Sequence, residues 1–139
     1  MYQKVIVVGY LGNNPEMRYM ADGTAVTSFS VATSRRWTDR NTGQPVDETT
    51  WFRVSIWGRR AEAANQYLSK GSRVLVEGRL RPDPATGNPR LWTRQDGTVS
   101  ASYELTADNF TFMSSRAEGG FADDQHGGSA AQEEDDIPF

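Results

Sequence analysis

Two kinds of side chain alternate along residues 51–57. The odd positions carry Trp51, Arg53, Ser55 and Trp57, and the even positions carry Phe52, Val54 and Ile56. Because successive side chains of a β-strand point to opposite faces, this segment predicts a strand with one core face and one face of two indoles and a guanidinium. Indoles stack on unpaired bases at about 1–3 kcal/mol per base, and Arg binds phosphates. The alternative is that both Trp cover core beneath a loop, since Trp is highly buried on average.

Arginine recurs on a second strand and beside the other aromatic residues. In residues 72–81 one parity holds Arg73, Glu77, Arg79 and Arg81, and the other holds Val74, Val76 and Leu80. The loop segments Arg35-Arg36-Trp37 and Arg90-Leu91-Trp92 each place an indole next to guanidinium groups. This interleaving favours a single-stranded nucleic acid, because a duplex hides the faces of its bases. The strand arginines alone also fit a solvated surface.

The net charge of −3 hides an asymmetry along the chain. Residues 1–113 hold 14 Lys and Arg against 11 Asp and Glu, a net charge of +3. Residues 114–139 hold one Arg against seven Asp and Glu, a net charge of −6. A basic body with an acidic tail indicates a polyanion partner for the body and a cationic partner for the tail.

Few residues of the chain are of the types that usually carry out catalysis. The chain has no Cys, and its one His, His126, lies in the tail. The carboxylates of the body are scattered along the sequence, so we expect no cofactor and no enzyme activity; a metal-dependent nuclease remains an alternative. No run of about 20 apolar residues is present, so no membrane span is expected. With no signal peptide, this composition predicts a cytoplasmic protein.

Periodicity predicts five strands and one helix. The strands are expected at 4–11, 25–34, 50–57, 72–80 and 99–112, with a bulge near 107–109 where the apolar parity switches. A helix is expected at 59–70, with Gly71 at its C′ position. Polar loops are expected at 35–48, with a hairpin tip at Thr42-Gly43-Gln44-Pro45, and at 81–97. Five strands with a helix after the third are the order of the OB-fold, an all-β, five-stranded Greek-key barrel.

The chain divides into three parts. Residues 1–113 are the expected barrel domain, and residues 114–132 are expected to be a disordered Gly, Ser and acidic linker. Residues 133–139 form an acidic tip with an apolar end, Asp135-Asp136-Ile137-Pro138-Phe139. This pattern fits capture by a pocket with an apolar base and a basic rim. The alternative is a charged tail that only aids solubility.

Several segments, in order, resemble one protein family. They are Lys4 to Gly12, Pro15 to Tyr19, Ala32 to Ser34, Trp51 to Val54, Tyr67 to Ser72 and Val76 to Leu80, together with the tip. Taken together they resemble bacterial single-stranded DNA-binding proteins. The match runs the length of the chain, although the loop before Trp92 is longer than is usual in that family.

The resemblance implies a homotetramer of OB-folds with the first strand in the dimer contact, and single-stranded DNA wrapped around the outside. It implies that the tip recruits replication, repair and restart enzymes. The expected DNA contacts, from residues and resemblance together, are Arg35, Trp37, Trp51, Arg53, Trp57, Arg59, Arg73, Arg79, Arg81 and Trp92. A primosomal or RNA-binding OB-fold protein is the remaining alternative of the binding class.

Overall fold

The structure, a computed structural model, describes residues 1–113. Its strands are β1 (Val5–Leu11), β2 (Glu16–Tyr19), β3 (Ala25–Thr38), β4 (Pro45–Trp57), β5 (Arg73–Leu80), β6 (Leu91–Thr93), β7 (Val99–Ala101) and β8 (Tyr103–Phe112). One helix, α1 (Arg59–Tyr67), lies between β4 and β5. The expected linker and tip, residues 114–139, lie outside the described residues.

Five of the strands close into a barrel. The main sheet has the order β1-β5-β8-β4-β3-β2, and a β1–β3 pairing joins its two sides. The closing seam is short, with only two paired positions, Tyr10 with Ala32 and Leu11 with Val31. All pairings are antiparallel except β4 with β8. The predicted OB-fold, with its helix after the third barrel strand, is confirmed.

The barrel encloses one apolar core. Phe29, Val54, Ile56, Val76 and Leu105 are each at most 2% exposed. Helix α1 covers one end of the barrel with Ala61 and Ala64, both fully buried. Thr27 anchors that helix, because its hydroxyl donates to the carbonyl of Ala61 at 2.6 Å. The core therefore uses the inner face of each strand and leaves the outer faces available.

The loop expected over the whole of 35–48 is wrong, although the hairpin tip expected within it agrees with the turn between Thr38 and Pro45. β3 and β4 instead continue as a two-stranded ribbon as far as the pair Thr38–Pro45. We call this extension, residues 33–50, the arm. The sequence suggested a loop because the arm has left the barrel and has almost no apolar residues to mark a buried face. The turn at its tip begins at Asp39, whose carboxylate accepts the backbone N–H of Asn41 at 2.7 Å.

The helix is shorter than expected. It ends at Tyr67, and Leu68 has an extended conformation with φ −94° and ψ 146°. Gly71 does have a left-handed φ of 88°, but it belongs to the turn before β5 rather than to the end of the helix. In that turn the Ser72 N–H donates to the carbonyl of Ser69 at 2.9 Å. Tyr67, the last residue of the helix, is 65% exposed.

The last strand and the loop before it also differ from the prediction. The loop expected at 81–97 contains β6, which forms a small hairpin with β7. The strand expected at 99–112 is therefore two strands, of which only β8 belongs to the barrel. The bulge is confirmed: Glu77 pairs with Asn109 and Gly78 with Ala107, which leaves Asp108 unpaired in the ladder. No helix within residues 1–113 has the length and apolar character needed to cross a membrane.

Candidate nucleic-acid interface

The outer face of β4 carries the two indoles that the alternation predicted. Trp51 is 53% exposed and Trp57 is 37% exposed, whereas Val54 and Ile56 on the inner face are buried. This confirms the prediction that the strand has one face in the core and an opposite face that carries the two indoles. At about 3.3 Å per residue, the two indoles lie about 20 Å apart along the strand. They can therefore contact different nucleotides of one strand rather than neighbouring bases.

The Trp51 ring rests on the backbone of Gly12, which follows β1. A Cβ atom at Gly12 would lie 2.8 Å from Cη2 of that ring and closer still to Cζ3. Real Cβ atoms essentially never make contacts this short, so the absence of a side chain at Gly12 lets the Trp51 ring approach the barrel this closely. The rest of the indole remains largely exposed.

The β6–β7 hairpin faces β4 across a groove of about 610 Å³. We call this cavity the Trp51–Trp92 groove; its walls include Trp51, Arg53, Trp92, Arg94 and Tyr103. The Trp92 Nε1–H donates to the hydroxyl of Ser102 at 3.2 Å, which fixes the ring. The Arg94 guanidinium lies 5.7 Å from the centre of the Trp92 ring. The groove therefore combines two fixed indoles with two cations.

A strongly basic pocket continues from this groove through Arg53. Its volume is about 230 Å³, and its lining includes Arg18 from β2, Arg53 from β4, and Arg81 and Arg90 from the loop after β5, together with one acidic residue, Glu104. We call it the arginine pocket. No hydrogen bond or ion pair within residues 1–113 engages these four guanidinium groups. Each remains free to bind a phosphate oxygen, for which the planar guanidinium fork is well suited.

The arm presents Trp37 on a different face from Trp51. Trp37 pairs with Val46 and Trp51 with Ala32, so the register places the two indoles on opposite faces of the β3–β4 ribbon. Trp37 is half-buried, and the Arg35 guanidinium lies over its ring at 4.9 Å from the centroid. Such a cation–π contact stabilises the exposed ring and keeps a positive charge next to it.

An ion pair stiffens the arm on the face opposite Trp37. Arg36 donates to Asp47 through Nε at 2.7 Å and through Nη2 at 3.1 Å, and the two residues are directly opposite in the ladder. The pair holds the pKa of Asp47 below its usual value of 3.8, mainly through the hydrogen bond from Arg36, while burial acts weakly in the other direction. The same contact raises the pKa of Arg36.

Three predicted arginines lie away from the groove and the arginine pocket. Arg59 is exposed at the first residue of α1. Arg73 is opposite Tyr10 at the β1–β5 pairing, and Arg79 is opposite Thr106 on β8. The structure therefore brings together Trp51, Arg53, Arg81 and Trp92 but places these three on other parts of the outer surface.

Sequence reasoning missed three residues of this surface. Arg18, Arg94 and Tyr103 line the groove or the arginine pocket without having been predicted, whereas Arg90 was noted beside Trp92 in the sequence. For Arg94 a signal existed, since it lies two residues from Trp92. Arg18 had none, because its strand β2 has four residues and no clear alternation.

No group of three or more His, Asp or Glu side chains that could hold a metal ion occurs within residues 1–113. The predicted protein-interaction residues Asp135, Asp136, Ile137, Pro138 and Phe139 lie outside the described part of the chain.

Comparisons with known proteins agree with this geometry. Residues 2–113 match the model of the single-strand binding protein family. The chain is 42% identical over 115 residues to the single-stranded DNA-binding protein of Neisseria meningitidis serogroup A, a match that covers 83% of this chain and 62% of that protein. The chain thus spans less than two thirds of that relative's length.

Two solved structures share the fold. A Plasmodium falciparum SSB in complex with single-stranded DNA superposes with a TM-score of 0.65 at 26% identity, covering 82% of this chain and 96% of that one. A deletion mutant of the single-stranded DNA-binding protein from Thermus aquaticus gives a TM-score of 0.63 at 27% identity, covering 84% of this chain and 52% of that one. With the family match over nearly the whole described region, these similarities mean that the chain belongs to the single-strand binding protein family.

Proposed function

We propose that this protein coats single-stranded DNA stoichiometrically and without catalysis, with little dependence on base sequence, during replication, recombination and repair. The observation that carries the proposal is the continuity of the Trp51–Trp92 groove with the arginine pocket through Arg53. Indoles supply stacking surfaces that every base can use, and guanidinium groups next to them neutralise phosphates. The names of the similar proteins, and the DNA complex solved for one of them, support the same conclusion.

Fluorescence of the four Trp residues tests this proposal directly. The protein is titrated with an oligo-dT strand, with the matching RNA, and with a duplex of equal length, at two salt concentrations. We expect strong quenching by the single DNA strand, saturating at a fixed number of nucleotides per protein, and weaker apparent affinity at the higher salt. An equal response to the duplex contradicts the proposal, and tighter binding of RNA favours an RNA-binding role instead.

We further propose a homotetramer that uses the outer face of β1. On that face Ile6 is 61% exposed, Val8 is 39% exposed and Tyr10 is 55% exposed, an apolar row that one subunit leaves in water. Such a patch is typical of an interface between subunits. Four bodies of net charge +3 would also attract DNA more strongly than one and present linked sites to it. Light scattering of Val8→Glu against the unmodified protein tests this, with loss of the tetramer expected and an unchanged mass contradicting it.

The tip at residues 133–139 is proposed to recruit partner enzymes. Its chemistry supports this role, since four consecutive acidic residues precede Ile137-Pro138-Phe139. Deletion of these residues is expected to leave DNA affinity equal or higher, because the deletion removes negative charge, and to abolish capture of replication and repair enzymes. A large loss of DNA affinity in the deletion variant would argue against separate roles for body and tip.

A further inference from the structure

Glu104 lies between two arginines on the outer face of β8. In the parallel β4–β8 ladder it is directly opposite Arg53. On its other side, Leu80 of β5 pairs with Leu105, and the next N–H, that of Arg81, donates to the carbonyl of Glu104 at 2.8 Å. Leu105 is fully buried, so the alternation of side chains places Glu104 on the outward face together with Arg53.

The carboxylate of Glu104 is the one acidic group that lines the arginine pocket in the described part of the chain. Arg18, Arg53, Arg81 and Arg90 surround it, so the pocket has four positive charges and one negative charge, a net charge of +3. A phosphate that enters the pocket is attracted by the arginines and repelled by Glu104 at the same place. None of the roles described above assigns a task to this negative charge.

Glu104 does not hold the arginines in position. Among the described residues its carboxylate makes no hydrogen bond and no ion pair. Arg36 and Asp47 are likewise directly opposite in a ladder, but there the guanidinium donates twice to the carboxylate. Arg53 instead extends over the surface and lines both the arginine pocket and the Trp51–Trp92 groove. Removal of the Glu104 charge should therefore leave the arginines in place and take away only the repulsion.

The carboxylate and the DNA backbone have the same chemical preference. Both a carboxylate and a phosphate diester accept hydrogen bonds from guanidinium N–H groups. Glu104 is half-buried, so water and salt screen its charge less than they screen a fully exposed carboxylate. In the DNA-free protein it is a resident anion of the arginine pocket, and a bound strand has to bring its phosphates next to it.

We propose that Glu104 is a built-in competitor of DNA phosphates, which lowers the affinity of the arginine pocket and speeds release of the strand. This inference rests on the proposed function. The indoles of the Trp51–Trp92 groove bind bases and are indifferent to this charge, so the competition acts on the phosphate contacts alone. A protein that coats a strand also has to leave it, and Glu104 supplies part of the driving force for that step.

Removal of the charge without a change of shape tests the proposal. We expect the full-length Glu104→Gln variant to bind oligo-dT about two- to fivefold more tightly at low salt, the size of one exposed charge interaction. The difference should shrink as the salt concentration rises. Dissociation into an excess of unlabelled oligo-dT, followed by stopped-flow fluorescence, should be slower. Glu62→Gln, on α1, removes the same charge away from the pocket and should behave as the unmodified protein does.

A second background separates a local effect from one of overall charge. In the variant that carries both Arg53→Gln and Arg81→Gln, the two cations that flank Glu104 are gone, while the indoles still bind the strand. Addition of Glu104→Gln to this background should change the affinity for oligo-dT little. A gain as large as in the unmodified background would mean that the charge acts at long range, and would overturn the proposal.

A change in the DNA gives a test on the other partner. When alternate phosphates of oligo-dT are replaced by uncharged methylphosphonates, the advantage of Glu104→Gln over the unmodified protein should fall. An undiminished advantage would mean that Glu104 acts on the bases, and equal or weaker binding of ordinary oligo-dT by Glu104→Gln would mean that it does not compete; either result overturns the proposal. Failure of both proteins to bind oligo-dT would instead overturn the proposed function.

Discussion

The indole of Trp51 occupies the space that a side chain at Gly12 would need, since a Cβ atom there would lie 2.8 Å from Cη2 of the ring. Gly12 is 39 positions earlier in the chain and lies just past the end of β1. It does not line the Trp51–Trp92 groove itself, but it leaves free the space that the Trp51 ring, one wall of that groove, occupies.

Gly12→Ala is therefore expected to weaken binding of single-stranded DNA. The added methyl group displaces the Trp51 ring, so part of the stacking energy of about 1–3 kcal/mol per base is lost. Fluorescence titration with oligo-dT measures the effect. In the Trp51→Ala background the same change should have no further effect on affinity. A loss of equal size in both backgrounds would mean that Gly12 acts in some other way.

Trp51→Ala combined with Trp57→Ala separates a DNA-binding role from a core role. Both side chains are partly exposed, so we expect a loss of DNA affinity of about 1–3 kcal/mol for each stacked base and little change in the free energy of unfolding. Phe29→Ala is the contrasting variant, because Phe29 is only 2% exposed and its truncation should cost about 3–5 kcal/mol of stability. Urea denaturation supplies the stability measurement. Unfolding of the double Trp variant would show that the indoles belong to the core.

The arginine pocket should control how steeply binding depends on salt. For single strands, the slope of log affinity against log salt changes by about 0.7 for each phosphate contact. Arg18→Gln and Arg90→Gln should each lower the slope by about that amount. Arg60→Gln is the control, because the Arg60 guanidinium already binds the Asp108 carbonyl and the Asn109 side chain. Slopes that match the unmodified protein in all three variants would place the phosphates elsewhere.

The Arg36–Asp47 pair predicts a loss of arm stability in acid. The pKa of Asp47 is lower in the folded arm than its ordinary 3.8. Its stabilising effect is therefore complete above about pH 3.8 and is lost as the pH falls through the lower value of the folded state. Carbon NMR titration of the Asp47 carboxyl should show this low midpoint, and Arg36→Gln should raise it.

Asp22 is an internal control for that titration. Its pKa is also lowered, but by the backbone N–H and the side chain of Thr24 rather than by a cation. Arg36→Gln should leave the Asp22 midpoint unchanged. A shift of both midpoints would indicate a general change in the protein instead of the loss of one ion pair.

Alternation of side chains was sufficient to predict the barrel strands and the face of β4 that carries the indoles. It failed for the arm, where the strands have no face buried against the core. Residues 33–38 and 45–50 form a solvent-exposed ribbon, so no apolar period marks them, although Arg36 and Asp47 are placed symmetrically about the turn. The signal for the arm was therefore in charge pairing rather than in hydrophobicity.

Only part of the interface could be predicted from the sequence, because the alternation of side chains describes one strand at a time. A sequence shows which residues share a strand face, and this identified Trp51, Arg53 and Trp57. It does not show which loops fold over that face. Tyr103 reaches the interface through the pairing of β8 with β4, in which it is opposite Phe52, a residue far away in the chain. Arg18 reaches it through the short strand β2, which pairs with β3.

Trp37 and Trp51 lie on opposite faces of the β3–β4 ribbon. This arrangement limits the path of any DNA strand that stacks on both rings. Such a strand cannot run straight, because it has to pass around an edge of the ribbon between the two rings. The two ends of the bound strand are then closer together than the ends of an extended strand of the same length. Dyes at the two ends of a bound oligonucleotide would report this bend as energy transfer.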